Sequence, residues 1–144
     1  MEEVFKERKI ETVMDVGCGS GVLAVCAAVL GADMVLALDF DSVAVKETKE
    51  NAWRNGVASK IHLLQGSLES VKGRFELVMA NITTSELLKM REELKNKLKG
   101  GGVLLISGIS EIKKNEAIYG FKEVGFSLKK EIFCEGWVGL IFAL

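Results

Sequence analysis

A chain of 144 residues has the usual length of one domain, and its nearly balanced charges, 19 Lys and Arg against 20 Asp and Glu, exclude a basic nucleic-acid-binding tail. A hydrophobic fraction of 49% excludes wholesale disorder. The longest strongly apolar run, Val22 to Leu30, is about half of what a membrane-spanning helix needs, and no leader-like segment precedes it. The three cysteines match no metal-binding or redox spacing. We therefore expect a soluble, cytoplasmic protein with one core, no membrane contact and no metal.

Apolar runs alternate with helical patterns along the whole chain, which is typical of an α/β protein. We interpret five of these runs as buried parallel strands: Thr12–Val16, Met34–Asp39, Ile61–Gln65, Phe75–Ala80 and Val103–Ser107. Four predicted helices separate or follow them: Gly21–Leu30, Asp41–Asn55, Thr83–Lys99 and Ser110–Val124. The third helix begins with a capping-box pattern, Thr83-x-x-Glu86, and is expected to stop at the glycines that follow Lys99. A short loop joins two last strands, Ser127–Phe133 and Trp137–Leu144, and predicts an antiparallel hairpin at the edge of the sheet.

Right-handed crossovers predict that strands two and three lie on one side of strand one and that strand four returns on its other side. Doubly wound sheets of this kind bind ligands at the carboxyl ends of strands, where the strand order reverses. The candidate binding residues therefore follow the first four strands. They are Gly17 to Gly21, Asp39, Gly66 to Leu68, Asn81 and Ile82.

The first strand ends in a glycine-rich loop, Asp15-Val16-Gly17-Cys18-Gly19-Ser20-Gly21, that opens a helix. Glycine lets a ligand lie against the main chain, where a Cβ atom would collide with it. The order of strand, loop and helix favours a cofactor-binding loop over an ordinary turn. The spacing is GxGxG, with Val22 at the third glycine of a dinucleotide-binding GxGxxG loop, which disfavours a nicotinamide-dependent oxidoreductase. We expect Cys18 to be a small buried filler without a reactive role.

Asp39 ends the second strand beside the glycine loop. A carboxylate at this place can accept hydrogen bonds from both hydroxyls of a ribose, and the alternative is a turn residue. Asp41 stands just before a helix, where an N-cap is favoured over a ligand contact. Phe40 fits equally well as an aromatic flank for an adenine ring and as a residue of the core.

The glycine loop together with Asp39 resembles the S-adenosylmethionine-binding signature of class I, Rossmann-like methyltransferases. Four later segments are similar to successive motifs of the PrmA family, the methyltransferases of large-subunit ribosomal protein eleven. These segments are Gln65-Gly66-Ser67-Leu68-Glu69, Met79-Ala80-Asn81-Ile82, Leu105-Ile106-Ser107-Gly108-Ile109 and Glu135-Gly136-Trp137-Val138. The resemblance implies a doubly wound, mostly parallel seven-stranded sheet with an antiparallel last strand. The reading of the elements alone leads to the same fold class.

The resemblance also implies the cofactor S-adenosyl-L-methionine and the product S-adenosyl-L-homocysteine. It assigns cofactor binding to Asp15, Gly17, Cys18, Gly19, Gly21, Asp39, Phe40, Ser67, Leu68 and Asn81. Ser67 departs from the pattern, because many methyltransferases place there an aspartate that holds the adenine amino group. Any such contact in this chain must come from the Ser67 hydroxyl or from the backbone of Leu68.

Methyl transfer from a sulfonium requires that both partners are bound and that an acceptor lone pair is aligned with the methyl carbon. Asn81 and Ile82 are the predicted catalytic turn, because the Asn81 side-chain carbonyl and a backbone carbonyl can orient the N–H groups of an amine. Comparable adenine- and glutamine-directed enzymes carry Asn-Pro-Pro-aromatic here, whereas this chain reads Asn81-Ile82-Thr83. The alternative role for Asn81 is a turn residue or a helix cap.

Members of the PrmA family carry an N-terminal substrate-recognition domain, whereas only residues 1–11 precede the first predicted strand. We expect residues 1–144 to be a single S-adenosylmethionine-binding methyltransferase domain without that recognition domain, either excised from a longer protein or naturally short. Two functions stay open. One is N-methylation of a protein amine with a ribosomal protein as partner, and the other is a cofactor-binding module that needs a missing domain or partner for activity. No basic stripe with interleaved aromatic residues supports a nucleic-acid substrate.

Overall fold

The computed structural model describes residues 1–144 as one seven-stranded sheet with helices on both faces. The strands are β1 (Thr12–Val16), β2 (Met34–Asp39), β3 (Ile61–Gln65), β4 (Phe75–Asn81), β5 (Leu98–Ser110), β6 (Ser127–Cys134) and β7 (Trp137–Ala143). The helices are α1 (Glu2–Glu7), α2 (Val22–Val29), α3 (Ser42–Arg54), α4 (Thr84–Lys89), α5 (Arg91–Asn96) and α6 (Lys114–Glu123). None of the helices combines the length and the apolar character that crossing a membrane requires.

The strand order is β3-β2-β1-β4-β5-β7-β6, which confirms the doubly wound arrangement. β1 pairs in parallel with β2 on one side and with β4 on the other, so the order reverses at β1 as predicted. The last strand, β7, is antiparallel to both of its neighbours. The hairpin prediction is correct, but β7 lies inside the sheet and β6 forms the edge. The burial of the two strands gives the reason, because Val138, Leu140 and Phe142 of β7 are buried, whereas most of β6 is exposed.

The two faces of the sheet support separate apolar clusters, as expected for strands that are apolar on both sides. One face carries α1, α2 and α3, and the other carries α4, α5 and α6. Phe121 of α6, Phe126 and Phe142 of β7 form an aromatic cluster on the second face, with ring centroids 5.3 to 5.9 Å apart.

The predicted helix Thr83–Lys99 is wrong as one element. Its start is confirmed, because the Thr83 hydroxyl accepts a hydrogen bond from the Glu86 N–H while the Glu86 carboxylate accepts one from the Thr83 N–H. The helix then breaks at Met90, whose backbone angles (φ −101°, ψ 10°) leave the helical region, and α5 ends at Asn96. The glycines that follow do not end a helix but belong to β5, because Leu98 already pairs with Phe75 of β4.

The start of the last helix and the structure of the N-terminal residues also differ from the prediction. The last helix begins at Lys114 and not at Ser110, because residues 111–113 form a 3-10 turn. The six-residue helix α1 had no counterpart in the prediction. Its single buried residue, Val4, gives too short an apolar pattern to indicate a helix from the sequence.

Candidate functional site

The ends of β1, β2 and β3 are joined by backbone hydrogen bonds at the carboxyl edge of the sheet. The N–H groups of Gly17 and Cys18 both donate to the carbonyl oxygen of Leu38, over 2.8 and 3.0 Å. The Gly66 N–H donates to the Asp39 carbonyl over 2.9 Å. The glycine loop, the end of β2 and the turn after β3 therefore form one connected rim, as the strand order predicts.

The glycine loop presents open main chain at Gly19. Gly17, Gly19 and Gly21 all have positive φ values, of 68°, 55° and 82°. A Cβ atom added to Gly17 would lie 2.9 Å from Ile82 Cγ2, and one added to Gly21 would lie 2.6 Å from Thr48 Cγ2. A Cβ atom at Gly19 would meet nothing within 4 Å. The outer glycines thus pack against the protein, while the middle one faces space that a ligand can enter.

Asp39 holds the loop with one carboxylate oxygen and the start of α3 with the other. Its Oδ2 accepts a hydrogen bond from the Gly19 N–H, and its Oδ1 accepts one from the Asp41 N–H, each over 3.0 Å. Each carboxylate oxygen has a second lone pair, so both can also accept a hydroxyl of a ligand. The Asp41 side chain accepts from the Val43 N–H over 2.9 Å, which confirms it as the N-cap of α3.

A cavity of about 170 Å³ lies beside this rim. Its walls come from the ends of β1 and β2, the turn after β3, the turn after β4 and α4. The lining residues are Val16, Gly17, Leu38, Asp39, Phe40, Gly66, Ser67, Leu68, Ile82, Glu86 and Met90. Seven of the candidate residues named from the sequence therefore share one cavity. Phe40 is 81% exposed, which makes the core interpretation of this residue wrong and leaves its ring available to a ligand.

Besides Val16 of β1 and Leu38 of β2, the lining residues Glu86 and Met90 were not predicted as site residues. Both belong to the region of α4, which begins directly after the end of β4 and lies over the cavity. The capping box identified Glu86 only as a residue that stabilises the helix start. Its hydrogen bonds with Thr83 lower the pKa of the Glu86 carboxyl, so Glu86 adds a negative charge to the wall of the cavity.

Asp15 and Cys18 lie behind the loop and do not line the cavity. The buried Asp15 Oδ2 accepts a hydrogen bond from the Ala24 N–H over 3.1 Å, which ties β1 to the first turn of α2. Burial raises the pKa of Asp15 to about 7; the Ala24 hydrogen bond opposes this rise and the nearby Asp39 charge adds to it. Burial also raises the pKa of the Cys18 thiol to about 11, so the thiol is protonated at neutral pH and is not a nucleophile.

Thr48 and Asn51 of α3 bind the carbonyl groups of Gly19 and Ser20 in the glycine loop. Neither Thr48 nor Asn51 was predicted from the sequence. The Thr48 hydroxyl donates to the Gly19 carbonyl over 2.9 Å, and the Asn51 side-chain amide donates to the Ser20 carbonyl over 2.8 Å. Because the Thr48 proton is used in this bond, the Cys18 thiol donates to Thr48 Oγ1, 3.3 Å away. A polar residue within a helical pattern was the only available signal, and it does not tell which loop the residue contacts.

Asn81 is the exposed last residue of β4, and Ile82 connects it to the cavity. Thr83, and not Asn81, is the N-cap of α4, so the cap alternative for Asn81 is excluded. The Asn81 Oδ1 atom and the Ile82 carbonyl oxygen both lie 2.8 Å from the position where Gly108 would carry a Cβ atom. Two hydrogen-bond acceptors thus converge at the end of β4, next to the cavity.

The sheet order, the antiparallel last strand and the ligand-accessible glycine loop define this chain as a protein of the Rossmann-like methyltransferase fold. The family model described as ribosomal protein L11 methyltransferase (PrmA) matches residues 1–144. The chain belongs to the PrmA family, and the resemblance carried by its motifs is confirmed.

Individual relatives agree with this assignment. The chain is 44% identical over 130 residues to a ribosomal protein L11 methyltransferase of Pelotomaculum thermopropionicum, covering 90% of this chain and 42% of the relative. It is 35% identical over 142 residues to the protein of the same name from Bacillus pumilus, covering 98% of this chain and 45% of the relative. The chain thus spans less than half the length of these relatives. The crystal structure of a ribosomal protein L11 methylase from Lactobacillus delbrueckii subsp. bulgaricus superimposes with a TM-score of 0.90 at 34% identity, over 98% of this chain and 75% of that one.

Proposed function

We propose that this chain binds S-adenosyl-L-methionine and transfers its methyl group to an amine of a protein, with ribosomal protein L11 as the substrate. One observation carries the proposal. The open main chain at Gly19, the buried carboxylate of Asp39 and the two converging oxygen acceptors of Asn81 and Ile82 lie along one edge of the sheet. Cofactor binding and acceptor orientation are therefore assigned to neighbouring groups within residues 1–144.

The residues present fit the proposed cofactor. Asp39 offers two carboxylate oxygens to the ribose hydroxyls, as expected for an acid at the end of the second strand. Phe40 and Leu68 offer apolar surface to the adenine ring, and Ser67 is exposed at the rim. The positive φ and free space at Gly19 allow the ligand to lie against the backbone. The carboxylates of Asp39 and Glu86 also suit a cofactor that carries a positive sulfonium.

S-adenosylmethionine supplies a sulfonium-bound methyl group that passes to the acceptor nitrogen, while the sulfur keeps the electron pair of the broken bond to give S-adenosylhomocysteine. The residues of the protein position the acceptor amine. A neutral amine donates its N–H groups to Asn81 Oδ1 and to the Ile82 carbonyl, which directs the nitrogen lone pair away from these acceptors. The nitrogen lone pair forms the new bond to the methyl carbon, so the positive charge passes from sulfur to nitrogen. Once the amine is neutral, the transfer itself needs no acid or base among the cavity residues, and the methylated ammonium then releases its extra proton to solvent.

The protein substrate is proposed from the family. The relatives that share this domain are named ribosomal protein L11 methyltransferases, which supports a ribosomal protein as the substrate and, with it, the cytoplasm as the proposed location. The formal net charge of −1 does not favour a nucleic acid as the methyl acceptor.

Calorimetric titration of the purified chain with S-adenosylmethionine, S-adenosylhomocysteine and NADH tests the cofactor. We expect binding of the first two ligands and none of NADH. Incubation with recombinant ribosomal protein L11 and S-adenosylmethionine, followed by mass spectrometry, tests the transfer. Cofactor binding without methylation would support the cofactor-binding module instead, and binding of NADH alone would contradict the proposal entirely.

A further inference from the structure

Strand β5 contains an irregularity beside the proposed catalytic turn. Ile106 pairs with Leu140 and Ile109 pairs with Val138, so two residues of β5 stand opposite the single residue Gly139 of β7. The second of these two is Gly108, whose φ is 79°. This is the two-against-one pattern of a β-bulge, in which a glycine with positive φ redirects the strand.

The bulge brings the Gly108 backbone against the two oxygen acceptors of the catalytic turn. A Cβ atom at Gly108 would lie 2.8 Å from Asn81 Oδ1, 2.8 Å from the Ile82 carbonyl oxygen and 3.4 Å from the Ile82 carbonyl carbon. A carbon atom so close to both oxygens would force at least one of them to move. Asn81 itself pairs with Ser107, so the contact comes from the residue next to its partner in the ladder.

We propose that Gly108 is a positioning residue for methyl transfer, because its missing side chain leaves the Asn81 and Ile82 oxygens in the arrangement that orients the acceptor amine. The inference rests on the proposed function. The three atoms nearest to a Cβ atom at Gly108 all belong to Asn81 and Ile82, and Gly108 does not line the cavity, so we expect a side chain here to disturb the acceptor half of the site more than the cofactor half.

The chain offers two matched controls for Gly108→Ala. Gly101 lies in the same strand with a similar φ of 71°, but a Cβ atom there would meet nothing within 4 Å. Gly101→Ala therefore introduces the backbone strain without the contact. Gly139 lies opposite the bulge, and its nearest contact to an added Cβ atom is an ordinary 3.8 Å. Gly139→Ala therefore adds a methyl group near the bulge without touching the catalytic turn.

The test measures kcat on recombinant ribosomal protein L11 and the dissociation constant of S-adenosylhomocysteine for all three variants. We expect Gly108→Ala to lower kcat by about tenfold to a hundredfold, the range produced by small misplacements of aligned groups, with cofactor affinity changed less than about threefold. The two controls should keep kcat near that of the unsubstituted chain. Equal losses in Gly108→Ala and Gly101→Ala, or no loss in Gly108→Ala, would overturn the inference.

A double variant shows whether Gly108 acts through Asn81. In an Asn81→Ala background the Gly108→Ala change should lower kcat much less than it does alone, because the displaced oxygen is already gone. If Gly108→Ala alone does not fold, the double variant should regain a folded state with a measurable thermal transition, since one of the two clashing oxygens has been removed. Fully multiplicative losses, or no recovery of folding, would contradict the proposed contact.

The NMR signal of the Asn81 side-chain amide gives a readout without turnover. Gly108→Ala should shift this signal, while Gly101→Ala and Gly139→Ala should leave it unchanged. If the unsubstituted chain does not methylate the ribosomal protein, the proposed function fails, and the amide signal alone then decides whether Gly108 sets the position of Asn81. An unshifted signal in Gly108→Ala would refute the inference in either case.

Discussion

The hydroxyl of Thr48, fully buried in the middle of α3, donates a hydrogen bond to the carbonyl oxygen of Gly19 over 2.9 Å. The N–H group of Gly19 in turn donates a hydrogen bond to Asp39 Oδ2 over 3.0 Å. The central glycine of the loop is therefore held at both of its backbone polar groups. The side of Gly19 where a Cβ atom would stand remains free for a ligand. The loop therefore has its conformation in place without a bound cofactor.

We expect Thr48→Val to lower the free energy of unfolding by about 1 to 3 kcal/mol, because the partly buried Gly19 carbonyl and the buried Cys18 thiol both lose their partner. Loss of the anchor should also weaken S-adenosylmethionine binding. Thr48→Ser is the control, since it keeps the hydroxyl and removes only a methyl group. Urea denaturation and calorimetric titration measure the two effects. If the Ser and Val variants bind the cofactor equally weakly, packing and not the hydrogen bond supports the loop.

Asp39→Ala should weaken S-adenosylmethionine binding by about tenfold to a few hundredfold, since each charge-assisted hydrogen bond contributes about 1.5 to 3 kcal/mol. The neighbouring Asp41→Ala is the matched control, because Asp41 only caps α3. It should cost about 1 kcal/mol of stability and leave cofactor affinity unchanged. Calorimetric titration of both variants with S-adenosylmethionine measures the two affinities. Equal losses of affinity would show that any disturbance at the start of α3 weakens binding, and that Asp39 has no specific role.

Asn81→Ala should leave cofactor affinity nearly unchanged and reduce the turnover of the ribosomal protein substrate. Asn81 is exposed and does not line the cavity, so its removal should not affect folding or the cofactor rim. Asn81→Asp keeps an oxygen acceptor at the same position and should retain more activity than the alanine variant. Single-turnover kinetics with separately measured cofactor affinity test this. A matching loss of affinity in Asn81→Ala would argue against an acceptor-aligning role.

Asp15 should make the protein less stable as the pH rises from acid to neutral. Burial raises its pKa from an ordinary 3.8 to about 7, so the folded state holds the proton more tightly than the unfolded chain does. The stability that this proton provides is complete below about pH 4 and is lost as the pH rises through about 7. Asp15→Asn removes this dependence. We expect the stability of the variant relative to the unsubstituted chain to be greater at pH 8 than at pH 5 in urea denaturation, and a pH-independent difference would contradict the shifted pKa.

Local signals in the sequence were sufficient for most elements and for the arrangement of the glycine loop beside Asp39. The positions of β1 to β3, the N-caps Asp41 and Thr83, and the meeting of the glycine loop with Asp39 were all predicted correctly. Apolar runs and caps depend on residues close in the chain, and parallel strands bring their carboxyl ends to one edge whatever their detailed packing.

Only the tertiary structure decided the features that depend on pairing between distant segments. The glycines after Lys99 belong to β5 because Leu98 pairs with Phe75 of β4. The helix-like spacing of the leucines does not show that this strand pairing is preferred over a longer helix. The same holds for the contacts of Thr48 with the glycine loop and of Gly108 with Asn81. Each links residues more than twenty positions apart, through a backbone path that only the folded sheet creates. The sequence therefore determined where the proposed cofactor site lies, while the packing of α3 and β5 against it determined how its atoms are held.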